Sequence, residues 1–395
     1  MTDKNMTKTK IQKIIFNFKK QKPEPAALIR ALTEAGPGFV ELARIASSRS
    51  DIMPVIYQND LLNLSYQLQG LKRGSVQSTL RAELGRADAK DFTSISESVY
   101  QVNLLGTTHA GILADHRRVL ITVNNRKLSS AFEKNLEHID ELVALECSRM
   151  EKSRAHIWQS VIKELKARAE LITDLTNSAA KMEILSEQFL SNSKIIIPQV
   201  LWEYCTPNLL VQEYRNWPDF SDVGQGKSKV SSASKKYLIR YLLEALAFMY
   251  AKGGHFLLRP NLKNWQAGQK NAIVFNNFLS IGYLEPEIRI AFITLLRALL
   301  ENKPNEAGKA LLSMHYQEHD LENHHEAGLS LRSVEGESVS EKLWFCLERA
   351  WQGNLAIPLG ITMAAESVLY LEHAMRRFDK EVDIPDALLR AIKKL

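Results

Sequence analysis

The chain has 395 residues, of which 45% are hydrophobic and 24% are charged. This composition supplies a buried core and excludes a disordered, a collagen-like or a disulfide-framework protein. Its 51 basic and 45 acidic side chains leave a net charge of +6, a mild excess that does not predict a nucleic-acid-binding surface. Cys147, Cys205 and Cys346 show no metal-type spacing and are typical of reduced thiols in a cytoplasmic protein.

The N-terminal residues 1–23 are predicted to be a basic flexible tail. Residues 1–22 carry seven lysines and one acid, Asp3, without the apolar stretch and cleavage site of a signal peptide. Apolar residues such as Ile14 and Phe16 leave a second interpretation open, in which the segment lies on an anionic membrane surface. We therefore expect a cytoplasmic location, with peripheral attachment at the inner membrane face under the second interpretation.

Helical spacing of apolar residues dominates the remaining chain, and strand patterns are few. The stretch 355–371 is predicted to be a buried helix, because Pro358 and Glu366 interrupt it and it is too short for a membrane span. The other segments with helical spacing are 129–147, 237–251, 287–300 and the region around 343–351. The predicted strands are 119–123, 195–202, 208–214 and 272–278.

This order of elements predicts an α+β protein with several sections. A stretch rich in serine, lysine and glycine at 221–236 contains few hydrophobic residues and is interpreted as a solvated loop or lobe boundary. The predicted sections are a tail (1–23), a helical N-terminal extension (24–90), a small mixed α/β lobe (91–214) and a mostly helical lobe (215–395).

Four segments carry a resemblance to a known family. The segment 35–57 is similar to an opening "GP-x-F-x-K-x-G-Q-x-x-S-x-R-x-D-x-x-P", and 195–214, 253–265 and 356–384 are similar to later motifs in the same order. The chain thus resembles the UbiB/AarF/ADCK family of atypical kinases over about residues 35–385. The resemblance implies a two-lobed, mostly helical protein-kinase-like fold with a helical N-terminal extension. The residues that match the opening motif are Gly36, Pro37, Phe39, Ser48, Arg49, Asp51 and Pro54.

The resemblance also implies where the nucleotide-site positions fall, and most of them are altered. The lysine of the third strand corresponds to Thr122, and the catalytic-loop aspartate corresponds to Arg259. The metal-binding asparagine is retained as Asn264, whereas the aspartate of the "D-F-G" motif corresponds to Asn277. Asp174 is the acid retained in the motif "E-L-D-x-x-x-E-A-x-N".

Two further motifs of the family depart from its pattern. The "K-x-G-Q" element, which folds over the active site in the family, has Glu41 and Arg44 in place of its lysine and glutamine. The alanine-rich nucleotide loop falls on SISESVY (94–100), where Glu97 would face polyphosphate. An ordinary pair of solvated strands is the alternative interpretation of 94–102.

These replacements bear directly on phosphoryl transfer, which requires a lysine on the phosphates and carboxylates on Mg²⁺. Two unit charges about 5 Å apart at an effective dielectric of about 20 interact by roughly 3 kcal/mol, so an arginine in place of an aspartate disfavours a bound cation. Alternatively, Arg259 pairs with a nearby carboxylate such as Glu285 or Glu287. Neither interpretation restores a metal site.

Two other patterns are set aside. GQGKS (224–228) lacks the first glycine of a phosphate-binding loop and its flanking strand. The polar segment 314–326 contains His315 and His319 at helical spacing but no HExxH pattern, so a solvated helix end is favoured over a metal site.

The sequence therefore predicts a pseudokinase: a catalytically degenerate family member that binds or regulates. The family resemblance implies a role in ubiquinone biosynthesis or membrane-lipid homeostasis, with Arg259, Thr122 and Glu41 lining a former nucleotide cleft. A protein partner or a lipid is expected, and no cofactor or metal. The alternative is a divergent atypical kinase or ATPase of the same pathway, which binds ATP and Mg²⁺ and retains weak activity. A third hypothesis is a peripheral lipid-binding protein attached through its basic start.

Overall fold

The computed structural model describes residues 24–49, 52, 57, 61, 73–276, 278–318, 331–353, 355 and 357–395. The chain forms two compact units. The first comprises Met1–Asn177 and Val200–Tyr214, and the second comprises Ser178–Gln199 and Arg215–Leu395.

Helices make up most of both units, as the apolar spacing predicts. The predicted helices 129–147, 237–251, 287–300, 343–351 and 355–371 correspond to α4, α8, α9, α11 and α12. The helices of the described residues are α1 (Pro25–Ala35), α2 (Pro37–Ser47), α3 (Arg73–Asp88), α4 (Arg126–Cys147), α5 (Lys152–Thr173), α6 (Leu175–Gln188), α7 (Phe220–Gly224), α8 (Ser232–Phe248), α9 (Pro286–Leu300), α10 (Pro304–Glu318), α11 (Val339–Gln352), α12 (Leu359–Phe378) and α13 (Ile384–Ile392).

Strands are short in the second unit and longer in the first. The predicted strand 195–202 contains only a two-residue strand and an isolated bridge from Val200 to Gln212. The strands of the described residues are β1 (Phe92–Val102), β2 (Gly106–Leu113), β3 (Arg118–Asn124), β4 (Ile195–Ile196), β5 (Leu209–Glu213), β6 (His255–Leu257), β7 (Trp265–Ala267), β8 (Ile273–Phe275) and β9 (Ile281–Tyr283).

The first unit contains an antiparallel sheet in the order β1-β2-β3-β5. One face of β3 packs into a hydrophobic core through Val119, Ile121 and Val123, as expected for period-2 alternation. Between these residues, Leu120 and Thr122 point to the opposite face and are also buried. Burial on both faces explains why this strand is read from sequence as a continuous apolar run.

A second core in the first unit joins the N-terminal helices to α4 and α5. Gly36, between α1 and α2, has a φ of 120°, and a Cβ there would lie 2.4 Å from Oδ1 of Asn135 on α4. The same Asn135 accepts from the backbone N–H of Gly38 at 3.1 Å and donates to the carbonyl of Ala35 at 3.2 Å. The glycine–proline step of the opening motif therefore fixes α1 and α2 against α4, since only glycine fits this backbone and this approach.

The second unit is built around aromatic side chains. Its sheet has the order β4-β8-β7, and β6 pairs with β9 as a separate ribbon. Phe275 on β8 contacts Trp265 and Phe278, and Phe220 on α7 stacks against Phe378 on α12 with ring centroids 4.8 Å apart. These rings hold the segment between β6 and β9, which contains Arg259 and Asn264, against the helices of this unit.

Two stretches differ from their predicted assignment. The connector 221–236 lies within the second unit, and its first part is helix α7, whose Phe220 and Val223 are fully buried. The break between the two units after β5 lies between Tyr214 and Arg215, where the predicted sections 91–214 and 215–395 also meet. Residues 178–199, assigned from sequence to the smaller lobe, belong to the second unit because β4 pairs with β8 and Phe189 packs on Phe275.

Among the described residues, no helix has both the length and the hydropathy that a membrane crossing requires.

Candidate functional site

Thr122, which the family resemblance places at the position of the lysine, lies in the middle of the sheet of the first unit. It pairs with Thr108 on β2 and with Leu210 on β5, and it is 4% exposed. The hydroxyls of Thr122 and Thr108 are 2.9 Å apart and hydrogen-bonded, and Thr108 also accepts from Nδ2 of Asn103 at 3.2 Å. The threonine therefore forms part of a small buried hydroxyl network within the sheet.

The predicted nucleotide loop 94–100 is not a loop. It lies inside strand β1 and pairs with β2 in an irregular register, for example Val99 with His109. The connection between β1 and β2 consists of residues 103–105, where the N–H of Asn103 donates to the carbonyl of Gly106 at 2.8 Å. The strand-pair interpretation of this stretch is therefore the correct one.

The altered "K-x-G-Q" element is the start of a buried ion-pair network within the first unit. Oε1 of Glu41 on α2 accepts from Nη1 of Arg168 on α5 at 3.3 Å, and both side chains are 1% exposed. Arg168 also donates to Glu164 one turn earlier on α5. Nη1 of Arg44 lies 3.7 Å from the other oxygen of Glu41. Glu41, expected to line a cleft, is instead fully buried in this network.

Asp174 caps a helix. It stands between α5 and α6, and its Oδ1 accepts from the N–H and the hydroxyl of Thr176 at 2.9 and 2.6 Å. Such capping uses the preference of aspartate for helix N-termini. Farther along α6, Lys181 replaces the motif's asparagine, and its ammonium donates to the carbonyl of Ile281 at 2.6 Å. Burial lowers the pKa of Lys181.

Arg259, which the family resemblance places at the position of the catalytic aspartate, is paired within the second unit. Its Nε donates to Oε1 of Glu366 on α12 at 2.8 Å, and the Glu366 side chain is 0% exposed. The guanidinium also lies over the ring of Tyr370, 5.9 Å from the centroid. The predicted partners Glu285 and Glu287 are wrong: both belong to the start of α9, and the carboxylate comes from a helix about 100 residues later.

Asn264 is 7% exposed and folds back on its own loop. Its Oδ1 accepts from the N–H of Asn261 at 2.7 Å, and Asn261 in turn caps the short helical turn that contains Asn264. The carbonyl of Asn264 accepts from the N–H of Asn276 at 2.8 Å, which joins the catalytic-loop region to the start of the "D-F-G"-like segment. Asn277, the predicted counterpart of the metal-binding aspartate, lies outside the described residues.

The chemistry that these contacts offer is internal to each unit. Thr122 exchanges hydrogen bonds with a hydroxyl, Arg259 neutralises a carboxylate, and the Asn264 amide oxygen accepts from backbone. Among the described residues, no three histidine, cysteine, aspartate or glutamate side chains converge as a metal site would need. The histidines of the segment 314–326 lie outside the residues whose side chains are described.

The sequence patterns did not predict the partners of Arg259 and Glu41, which are Glu366 and Arg168. A signal was present for both of them. Glu366 is the one acid in the apolar stretch 355–371, and Arg168 continues the apolar face of α5 one turn after Leu165. A charge on a buried helical face predicts a buried partner, because an unpaired charge there is costly. The pattern does not say which residue the partner is.

The comparison with known families matches residues 63–311 of this chain, which is more than half of it, to the ABC1 atypical kinase-like domain. The chain is 22% identical over 310 residues to the Arabidopsis thaliana protein named Activity of BC1 Complex Kinase 7, chloroplastic, covering 76% of this chain and 43% of that protein. It is 25% identical over 187 residues to the probable protein kinase UbiB of Cellvibrio japonicus, covering 47% of this chain and 34% of that protein. The chain thus spans less than half the length of these relatives.

The fold is also similar to a solved structure. A Mycobacterium tuberculosis protein in complex with erythromycin gives a TM-score of 0.50 at 16% identity, over 87% of this chain and 91% of that chain. This likeness shows a shared fold. It agrees with the two compact units and the helical N-terminal region, and so confirms the predicted kinase-like architecture. Since the family match covers most of the described first unit and continues into the second unit as far as residue 311, this chain belongs to the ABC1 family of atypical kinase-like proteins, as its resemblance to UbiB predicts.

Proposed function

We propose that this chain is a catalytically degenerate member of its family that acts as a binding or regulatory protein. The observation that carries the proposal is the ion pair between Arg259 and Glu366. An arginine stands where the family resemblance implies the catalytic aspartate, and a buried carboxylate from α12 holds it there. Such a residue cannot accept the proton of an attacking hydroxyl, because arginine stays protonated.

The ion pair also determines the net charge at this position. Because Glu366 offsets the charge of Arg259, this position is nearly neutral and does not strongly repel a cation. This position nevertheless does not favour Mg²⁺, because its carboxylate, that of Glu366, is paired with Arg259. Mg²⁺ usually binds through one or two carboxylates together with substrate phosphates.

Thr122 and Asn264 support the same proposal. A hydroxyl that is hydrogen-bonded to Thr108 supplies no positive charge to a polyphosphate. The Asn264 oxygen that would face a metal accepts from the N–H of Asn261. Among the described residues, Thr122, Arg259 and Asn264 therefore do not fit Mg²⁺ and ATP in the manner of the family.

The biological setting of the proposal follows from the family. Relatives with the name UbiB favour a role connected with ubiquinone biosynthesis, and membrane-lipid homeostasis is the second setting that the resemblance implies. In either setting the chain would work in the cytoplasm or at the inner membrane face, through a protein partner or a lipid. Its effect would depend on its folded surface and not on phosphotransfer.

Thermal unfolding of the full chain with ATP and Mg²⁺ tests the degeneracy directly. We expect no saturable rise in the midpoint. A saturable rise that Asn264→Ala removes, while the exposed control Asn305→Ala retains it, would contradict the proposal and favour the alternative of a divergent ATP-binding enzyme.

Complementation tests the non-catalytic role. In the source organism lacking this gene, quinone and phospholipid contents are measured after expression of the wild type or of Asn264→Ala. Equal restoration by both chains is expected for a binding or regulatory protein. Restoration by the wild type alone, with equal amounts of folded protein, would mean that the remnant of the metal site is used.

A further inference from the structure

A pocket of about 410 Å³ lies between helix α3 and strand β1 of the first unit. Its lining includes three exposed cationic side chains, Arg81, Arg86 and Lys90, which we call its rim. It also includes three buried apolar side chains, Leu80, Phe92 and Ile95, which we call its floor. We call this site the basic pocket. Its apolar residues are 1%, 6% and 2% exposed and belong to the hydrophobic core of the sheet, so the floor is fixed.

The three cations are exposed, and none of them forms an ion pair or a side-chain hydrogen bond with any described residue. Two nearby acids have other partners. Glu83 on α3 bonds Arg126, Thr206 and Asn208. Asp91, just after Lys90, accepts from the hydroxyl of Tyr204 at 2.7 Å. Asp88, which stands between Arg86 and Lys90, is exposed and forms no ion pair or side-chain hydrogen bond with a described residue. The three cations therefore outnumber the one acid of this segment that is not engaged elsewhere.

A backbone kink brings the three cations to one pocket. Helix α3 is interrupted at Gly85, whose φ of 82° and ψ of 179° are not helical. Arg81 precedes this kink, whereas Arg86 and Lys90 follow it, so an unbroken helix would carry them along one axis away from β1. A Cβ at Gly85 would meet no atom within 4 Å, so the glycine is required by its dihedral angles and not by close packing.

The geometry points to a ligand that joins an anionic head to an apolar part: we infer that the basic pocket binds a phosphate-bearing amphiphile. Guanidinium groups bind phosphate in a bidentate manner, and the ammonium adds a third charge. The volume lies in the range of small-molecule sites, and the apolar floor would cover the first carbons of the ligand. This inference goes beyond the proposed function, since it holds whether or not the chain hydrolyses ATP.

The test uses the full-length chain and soluble dihexanoyl phosphatidic acid in isothermal titration calorimetry. We expect saturable binding at one site, and binding of inorganic phosphate at least about tenfold weaker because it lacks the apolar part. The variant Arg81→Ser/Arg86→Ser/Lys90→Ser is expected to bind the lipid about tenfold more weakly or worse, since three charge contacts are lost.

The matched control is Lys127→Ser/Lys134→Ser/Lys163→Ser. These three lysines are exposed in the same unit, and each triple variant lowers the net charge from +6 to +3. The control is expected to bind as the wild type does. Equal weakening by both variants would reduce the effect to net charge and overturn the inference, as would undiminished binding to the pocket variant or equal affinity for inorganic phosphate.

Flotation with vesicles of phosphatidylglycerol and phosphatidylcholine identifies the source of the ligand. If the pocket variant, but not the control, loses vesicle binding, the headgroup is presented by a membrane. If only the binding of the soluble lipid is lost, the pocket takes a free amphiphile from solution. Either result supports the inference. If the pocket variant retains both vesicle binding and binding of the soluble lipid, the inference is overturned. Thermal unfolding of both variants checks that they are folded.

Discussion

Nε of Arg259 donates to the carboxylate of Glu366 at 2.8 Å, although the two residues are 107 positions apart in the chain. The arginine lies in the loop between β6 and β7, and the glutamate lies in the apolar helix α12. This contact joins the loop between β6 and β7 to α12. Because the glutamate is completely buried, the pair is a structural requirement of the second unit.

Arg259→Met is expected to lower the free energy of unfolding by about 3 kcal/mol, as measured by urea denaturation. The reason is that the substitution leaves the Glu366 carboxylate buried without its counter-ion. The control is Asp386→Ala, which removes one partner of the exposed pair Arg390–Asp386, whose side chains are 76% and 46% exposed. Exposed pairs contribute at most about 1 kcal/mol. A loss for Arg259→Met no larger than that for the control would contradict the assigned role.

The network of Glu41, Arg168 and Glu164 gives a second prediction. Arg168→Met removes the arginine that pairs with two buried carboxylates, those of Glu41 and Glu164, and we expect a loss of about 4 kcal/mol in the free energy of unfolding. Lys166→Met on the same helix is the control, because its pair with Asp140 is about half exposed and should contribute less than about 1 kcal/mol.

Replacement of the whole network separates charge from packing. The variant Glu41→Leu/Glu164→Leu/Arg168→Met removes all three of these buried charges. Most of the stability that is lost in Arg168→Met is therefore expected to return. If the triple variant is less stable than the single one, the network stabilises the first unit by more than the mutual neutralisation of its charges, and the electrostatic explanation is wrong.

The thiol of Cys346 provides a pH-dependent prediction. Burial raises its pKa to about 12, so the thiolate fraction at pH 8 is about 10⁻⁴. In a Cys147→Ser/Cys205→Ser chain, where Cys346 is the remaining cysteine, alkylation of the folded protein should be very slow. The rate should rise about tenfold for each pH unit below 12 while the fold persists. Rapid labelling at pH 8 without denaturant, followed by mass spectrometry, would contradict this burial.

Much of the fold was predictable from local patterns. The apolar spacing of 287–300 predicts α9, which occupies Pro286–Leu300, and the run 119–123 predicts β3. These elements follow from the periodicity of apolar residues and from helix-boundary residues such as Pro286, the first residue of α9. Both signals depend only on residues that are neighbours in the sequence. The buried interpretation of 355–371 is confirmed as well by α12, in which Ile361 and Ala364 are fully buried.

The contacts of the candidate site could not be predicted in the same way. The partner of Arg259 is 107 residues away and the partner of Glu41 is 127 residues away, so no local pattern contains either pair. The family resemblance places the nucleotide loop on 94–100, with a strand pair as the alternative, whereas the connection between β1 and β2 lies at residues 103–105. The better signals were Asn103 and Gly106, since a Cβ at Gly106 would lie 1.8 Å from the carbonyl oxygen of Val123.

Hydrolysis of ATP by the purified full-length chain, with Mg²⁺ and at micromolar protein concentration, tests the loss of catalysis most directly. The account predicts release of phosphate at the rate of the buffer alone, in the wild type and in Asn264→Ala equally. Metal-dependent release that rises with the concentration of the wild-type chain and disappears in Asn264→Ala would contradict it.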